Sequence, residues 1–219
     1  VALHNLPVRL VASGGGMVYA PLGPTHQAID DFALMRAIPN MLVAAPADPA
    51  EMTKLVQDLA TYPGPAYIRV AKGGGPDITS TLPPAAIGQV RPIRSGSKVA
   101  MLTTGALLHE CIVAVDSLAG TDFAPTLVHV PFLAPLDVPA IEELAREYQV
   151  LLVVEEHLPT GGLTTAVSEI VATGVGQARV IRLGLPPRYA SAYGSQREHW
   201  ENHGLTSDGI ASSITRIQL

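Results

Sequence analysis

His26 follows Gly23-Pro24-Thr25 and precedes Gln27, a short way downstream of Gly14-Gly15-Gly16. A Gly-Pro turn that delivers a histidine beside a glycine-rich loop presents an imidazole able to titrate near neutral pH and pass a proton in a cleft. Arg69 and Lys72 close the first third of the chain. Either can meet an anionic group, and either can instead form an ion pair at an interface; the residues alone leave both readings open. Glu155-Glu156-His157 end a strongly apolar run just ahead of Gly161-Gly162. Paired carboxylates and a histidine past the end of a strand suit acid–base chemistry or packing. A metal site there has no support, since no second His or Cys has suitable spacing. The Gly14 to Gly16 loop could leave backbone N–H groups free for an anion, although it matches neither GxGxxG nor a Walker loop; a tight turn is the plainer reading. His109, His129, His199 and His203 lack a partner in sequence and read as structural or exposed. Cys111 reads as a small buried hydrophobe. No Gly-x-Ser-x-Gly elbow supports a hydrolase triad.

These residues need strands and helices to hold them. Val8 to Ala12, Met41 to Ala45 and Ala66 to Val70 read as strands. Apolar Ile29, Phe32, Ala33, Leu34 and Ile38 predict a helix from Gln27 to about Ala37, stopped by Pro39-Asn40. Asp48-Pro49 predicts a second helix through about Thr61, with Asp48 as N-cap and Pro49 in the first position. Strands alternating with helices predict a parallel α/β sheet with right-handed crossovers. Residues 73–97, rich in Gly and Pro, break the rhythm and read as a connection, dividing the chain into 1–72 and 98–219. The second part repeats the pattern, with strands at Lys98 to Thr103, Thr126 to Val130, Val150 to Glu155 and Arg179 to Leu183. Helices are expected over Ala106 to Leu118, Val138 to Tyr148 and from Gly161-Gly162 to about Ala172. Two closing helices are expected near Gln196 to Asn202 and Ser207 to Ile217. Val1 to Asn5 reads as the tail of a helix capped by Asn5, which implies a segment upstream.

Gly23-Pro24-Thr25-His26-Gln27, the helical run after it and Arg36-Ala37-Ile38-Pro39-Asn40 together resemble the pyrimidine-binding domain of transketolases and their thiamine diphosphate relatives. Glu155-Glu156-His157 with Gly161-Gly162-Leu163, then Gly184-Leu185-Pro186-Pro187, Tyr193-Gly194-Ser195 and His203-Gly204-Leu205-Thr206, resemble the closing domain of the same family. The resemblance spans nearly the whole chain. It implies an α/β fold of two parallel-sheet domains: a partial pyrimidine-binding domain followed by a transketolase C-terminal domain. It implies that His26 lies beside the substrate, binding an oxygen or moving a proton. It also implies that Lys72, standing where the family has an Arg, meets a substrate anion, and that Glu155-Glu156-His157 serves interdomain packing. Two departures bear on substrate. Leu22 replaces an Asp that binds a sugar hydroxyl, and Gly14 replaces a second His that meets substrate phosphate. A pocket that loses such partners loses discrimination for a hydroxylated, phosphorylated acceptor.

The family's activating Glu and the Gly-Asp-Gly…Asn diphosphate pattern are absent from these residues. The resemblance therefore implies thiamine diphosphate shared with a partner, an N-terminal (alpha) transketolase subunit holding the diphosphate and Mg2+. The expected assembly is an α2β2 heterotetramer containing a homodimer of this chain. The expected reaction is two-carbon transfer from a ketol or 2-oxo-acid donor to an aldehyde-type acceptor. Two alternatives are the beta subunit of a 2-oxo-acid dehydrogenase and a non-catalytic assembly or regulatory subunit on the same scaffold.

Composition narrows the rest. The 219 residues are 47% hydrophobic and 15% charged, enough apolar content for a real core and unlike a disordered chain. A formal net charge of -5 with no basic run disfavours nucleic acid and anionic membrane. One cysteine cannot form an internal disulfide, which fits a reducing cytoplasm.

Overall fold

The computed structural model describes residues 1–72, 75–174 and 176–218. Gly73 and Gly74, the opening glycines of the expected connection, lie outside the described residues. In chain order the elements are β1 (Arg9–Ser13), α1 (Asp31–Arg36), β2 (Leu42–Ala44), α2 (Pro49–Leu59), β3 (Ala66–Val70), β4 (Arg91–Arg94), β5 (Val99–Thr103), α3 (Leu108–Ser117), β6 (Thr126–His129), β7 (Phe132–Ala134), α4 (Val138–Glu147), β8 (Val150–Glu155), α5 (Leu163–Val171), β9 (Arg179–Gly184), α6 (Gln196–His203) and α7 (Ser207–Thr215).

Two mostly parallel sheets result, as the alternating rhythm predicts. The first has the order β1-β3-β2-β7, and only β7 runs antiparallel to its neighbour. The second has the order β4-β6-β5-β8-β9, with β4 antiparallel to β6 and the others parallel. In the central strands β5 and β8, alternate residues serve different cores, the period of two expected of a strand covered on both faces. Val99, Met101, Leu152 and Val154 face one core; Ala100, Leu102, Leu151 and Val153 face the other. The short strand β7 goes unmarked in sequence, because Phe132–Ala134 follows Pro131 at once and shows no separate run.

Met17, Ala20 and Ile29, which flank the His26 turn, are buried in the core of the second sheet rather than the first. The loop carrying the motif thus belongs to both layers. The long helix expected from Gln27 is shorter, beginning at Asp31. The backbone of residues 27–30 is used elsewhere. Ala28 pairs with Gly16 through N–H···O contacts of 2.7 and 3.0 Å, and the Ile29 carbonyl accepts from Leu158 at 2.9 Å.

Asp48 caps α2 by accepting from the Glu51 amide at 2.8 Å. Its other contacts reach the 75–90 segment: it also accepts from the amides of Ile78 and Thr79 and from the Thr79 hydroxyl. Burial raises the Asp48 carboxyl, but these donors outweigh it and hold the group below its ordinary value of 3.8. Arg91 pins the same segment, donating to the carbonyls of Pro83 and Leu82 and pairing with Glu51 at 3.0 Å. The opening residues form a turn rather than a regular helix, and its bonds are those of a helix C-cap. Leu6 N–H reaches the Val1 carbonyl, Asn5 N–H reaches Ala2, and Asn5 has φ 48°.

Among the described residues no helix is long and apolar enough to cross a membrane.

Candidate active site

The Gly23-Pro24-Thr25-His26 motif forms the second of two successive 3-10 turns, Ala20–Leu22 and Pro24–His26. Proline sits at the start of each, where its fixed φ suits the turn and its missing N–H costs nothing. Gly23 joins them at φ 88°, a conformation glycine adopts without strain. The result is an exposed His26 whose Nδ1 lies 3.0 Å from the Thr25 hydroxyl. Its Nε2 edge faces no hydrogen-bond partner among the described residues. An imidazole held by its neighbour on one side and open on the other can bind an oxygen or carry a proton.

Gln27 is buried beneath this turn, 7% exposed. Its side chain bonds twice to the backbone of Ala190: Nε2 donates to the carbonyl at 3.0 Å, and Oε1 accepts from the amide at 2.9 Å. This clamp brings the 188–193 segment of the C-terminal part against the His26 turn. Sequence reasoning did not assign Gln27 a role, because its partner is 163 residues away in an irregular segment.

Behind the turn runs a buried polar network joining both layers. Tyr67 donates its hydroxyl to Asp31 at 2.7 Å, and burial together with the Asp31 charge pushes the Tyr67 phenol well up. Arg69 lies 3.4 Å from Asp31 and 3.7 Å from the Glu156 carboxylate, and donates to the Glu156 carbonyl at 2.9 Å. Its guanidinium sits over the Phe32 ring at 4.5 Å, and Phe32 stacks on His157 at 5.3 Å. Glu156 accepts from the Met17 amide at 2.9 Å, from Gln196 at 3.0 Å and from Trp200 at 2.7 Å. Burial nevertheless pushes its carboxyl above the ordinary carboxylate value. Glu155 is wholly buried and accepts from the Leu163 and Thr164 amides, so it supplies the missing cap of α5. Burial holds the His157 imidazole below its ordinary value. The Glu155-Glu156-His157 run therefore packs inside the protein.

The glycine loop takes its composition from this network. A Cβ on Gly16 would fall 2.1 Å from a Glu156 oxygen, and one on Gly15 would meet Arg69 at 2.2 Å. The loop amides are already occupied: Gly14 and Gly15 donate to the Val70 carbonyl and Gly16 to Ala28. The plainer reading of this loop as a tight turn therefore fits, and the N–H groups that could have met an anion are taken by Val70 and Ala28.

The remaining expected site residues fall as follows. Lys72 is exposed, with its ammonium 4.9 Å from the centre of the Tyr19 ring. Leu22 is exposed on the first 3-10 turn. Gly14 lies buried under Tyr19, where a Cβ would come within 2.1 Å of the ring. Arg69 is enclosed by two carboxylates, so a substrate anion would have to displace them. His129 and His199 are buried, and Cys111 is wholly buried with its thiol pushed up to about 12, mainly by that burial.

Comparison with known proteins decides the family. The model of the transketolase pyrimidine binding domain matches residues 1–76, and that of the transketolase C-terminal domain matches residues 88–210, more than half of the chain. The chain belongs to the transketolase family. Among its relatives, 1-deoxy-D-xylulose-5-phosphate synthase of Syntrophotalea carbinolica is 36% identical over 219 residues, covering 98% of this chain and 34% of the relative. The same enzyme of Dictyoglomus turgidum is 34% identical, covering 99% of this chain and 35% of the relative. The chain therefore spans about a third of the length of these relatives. A split gene transketolase, described as an inactive beta4 tetramer, superposes with a TM-score of 0.86 at 28% identity, covering 99% of this chain and 68% of that one. Transketolase from Campylobacter jejuni shares the fold, with a TM-score of 0.74 at 17% identity, covering 95% of this chain and 31% of that one. The family is thiamine diphosphate-dependent.

Among the described residues no group of three or more His, Cys, Asp or Glu side chains could hold a metal ion. The glycine loop amides that might cradle a diphosphate are bonded to carbonyls. These residues alone do not fit the diphosphate or its metal.

Proposed function

We propose that this chain is the C-terminal (beta) part of a split, transketolase-like enzyme. In this reading it moves a two-carbon unit from a ketol or 2-oxo-acid donor to an aldehyde-type acceptor. The bond between the donor carbonyl carbon and its neighbour breaks, and the carbonyl carbon joins the acceptor aldehyde carbon. The remainder of a ketol donor leaves as an aldehyde, its hydroxyl giving up a proton as the acceptor oxygen takes one up. A 2-oxo-acid donor leaves carbon dioxide instead, and the proton comes from water. Thiamine diphosphate supplies the chemistry of that bond exchange when bound. A partner carrying the diphosphate-binding domain holds the diphosphate and Mg2+, with the cofactor at the subunit interface.

The observation that carries this reading is His26. It is an exposed imidazole on a rigid double turn, in a family whose members include thiamine diphosphate-dependent transferases. The buried network behind it (Tyr67, Asp31, Arg69, Glu156) uses its polar groups internally and fixes the frame. His26 then holds the acceptor oxygen or delivers its proton, and Lys72 offers the cation for an anionic group of substrate. Leu22 offers no acceptor for a sugar hydroxyl, which points away from a standard aldose phosphate.

The test is turnover of a ketose or a pyruvate-type donor by the full polypeptide carrying these residues, with a diphosphate-domain subunit, thiamine diphosphate and magnesium. Donor cleavage followed by carbon–carbon bond formation with an aldehyde is expected. No donor cleavage across a broad panel overturns the reading, and acyl transfer to a lipoyl carrier would assign a dehydrogenase beta subunit instead.

A further inference from the structure

Lys72, Tyr19, Leu22 and Tyr193 stand on or around the two 3-10 turns that carry His26. Tyr19 is wedged between Gly14 and Lys72. The ring lies where a Cβ on Gly14 would come within 2.1 Å of it, and Gly14 has φ 87°. The Lys72 ammonium stands over the ring at 4.9 Å, within reach of its negative face. Tyr19 begins the first 3-10 turn, and its carbonyl accepts from the Leu22 amide at 2.9 Å. Leu22, 56% exposed, lies three residues on, the spacing at which side chains of such a turn stand above one another. Tyr193 comes from the segment clamped by Gln27. Its ring stands over Gly23, where a Cβ would lie 3.0 Å from Cε1, and it is 73% exposed.

We propose that Tyr19 determines acceptor choice, forming with Leu22, Tyr193 and Lys72 a shelf for an aldehyde with a flat, apolar body and one anionic group. This deepens the reading given above and rests on it. Two aromatic rings and a leucine reward contact with apolar area. They offer no carboxylate to a polyhydroxylated body, and two phenol hydroxyls are fewer partners than its hydroxyls need. The single ammonium on the shelf suits one carboxylate or comparable anion, and as a point charge it does not impose the bidentate geometry of an arginine. Gly14 is a condition of the arrangement, because a side chain there would expel Tyr19 from under Lys72.

The experiment compares 4-carboxybenzaldehyde with glyceraldehyde 3-phosphate as acceptors for the assembled enzyme, as wild type, Tyr19→Phe, Tyr19→Ala and Tyr19→Leu. The wild type and Tyr19→Phe should favour 4-carboxybenzaldehyde in kcat/KM by about tenfold or more, and in Tyr19→Ala the ratio of the two acceptors should fall by about that factor. Tyr19→Leu keeps an apolar side chain without the ring, and stands in should the alanine variant fail to fold. Calorimetry with unreactive 4-carboxybenzoate gives a readout without turnover, and its affinity should weaken in parallel in the ring-deleted variants. Equal or reversed preference in the wild type, no binding of 4-carboxybenzoate, or an unchanged ratio in both ring-deleted variants overturns the proposal. Donor consumption by the wild type without acceptor is measured separately. Its absence would sink the two-carbon transfer reading, while calorimetry would still decide whether the shelf binds its ligand.

Discussion

Gln27 and Ala190 hold the two halves of the candidate site together by a paired hydrogen bond, amide side chain to amide backbone, at 3.0 and 2.9 Å. Gln27 directly follows His26, so one residue faces the site and the next fixes its far wall. Gln27→Leu leaves both Ala190 groups without these partners and should cost about 1–3 kcal/mol. Thermal melting should show a drop of several degrees, and limited proteolysis should find new cleavage at 188–193. An unchanged melt with an intact segment would contradict the clamp.

Glu156 is the junction of the buried network, with donors from the glycine loop, β3 and α6. Glu156→Ala removes one of the two carboxylates around the buried Arg69 guanidinium and leaves the Met17, Gln196 and Trp200 donors without their acceptor, so it should destabilise by about 3–5 kcal/mol, the scale for a broken buried pair. Glu156→Gln preserves the shape and should cost less. Urea titration of both variants checks the order; an alanine variant as stable as wild type would show that Arg69 is not held by Glu156.

Asp48 links stability to pH. Its folded-state carboxyl lies below the ordinary 3.8, so its contribution is complete above that value and is lost as pH falls through the lower folded value. Asp48→Asn should be less stable than wild type at neutral pH, and the gap should narrow as the solution is acidified below pH 3.8. Chemical unfolding at a series of pH values measures it. A gap independent of pH would remove Asp48 from the acid response.

Cys111 is wholly buried and its thiol is pushed up to about 12. A thiol-specific disulfide reagent at pH near 8 should leave it untouched in the native protein and react fully in denaturant. Fast native labelling would mean that α3 opens.

Much of this was legible in the residues. Asp48-Pro49 announced the start of α2, and the apolar run Val150 to Glu155 announced a central strand, because caps and burial are local signals. The His26 motif could be read as a turn presenting an imidazole. What stayed hidden depends on long-range pairing. The helix expected from Gln27 starts later because Gly16 and Leu158 capture the backbone of Ala28 and Ile29. The three successive glycines read as a tight turn, but nothing in sequence tells why glycine is needed there: Arg69 and Glu156 occupy the space that side chains at Gly15 and Gly16 would need. Tyr19 carries no local signal, since nothing near it in sequence reveals Lys72 above its ring or Tyr193 over Gly23.

The most direct measurement is donor-dependent turnover by wild type and His26→Ala. Both would be prepared as the full polypeptide with a diphosphate-domain subunit, thiamine diphosphate and magnesium, and native mass spectrometry would record assembly in the same samples. A cofactor-loaded complex should form with either protein, and turnover should fall by about 10²–10⁴-fold in the variant, the range for losing a positioned acid–base group. Equal turnover in the two proteins, or no cofactor-loaded complex and no donor cleavage with wild type, would contradict the placement of His26 at a shared thiamine diphosphate site.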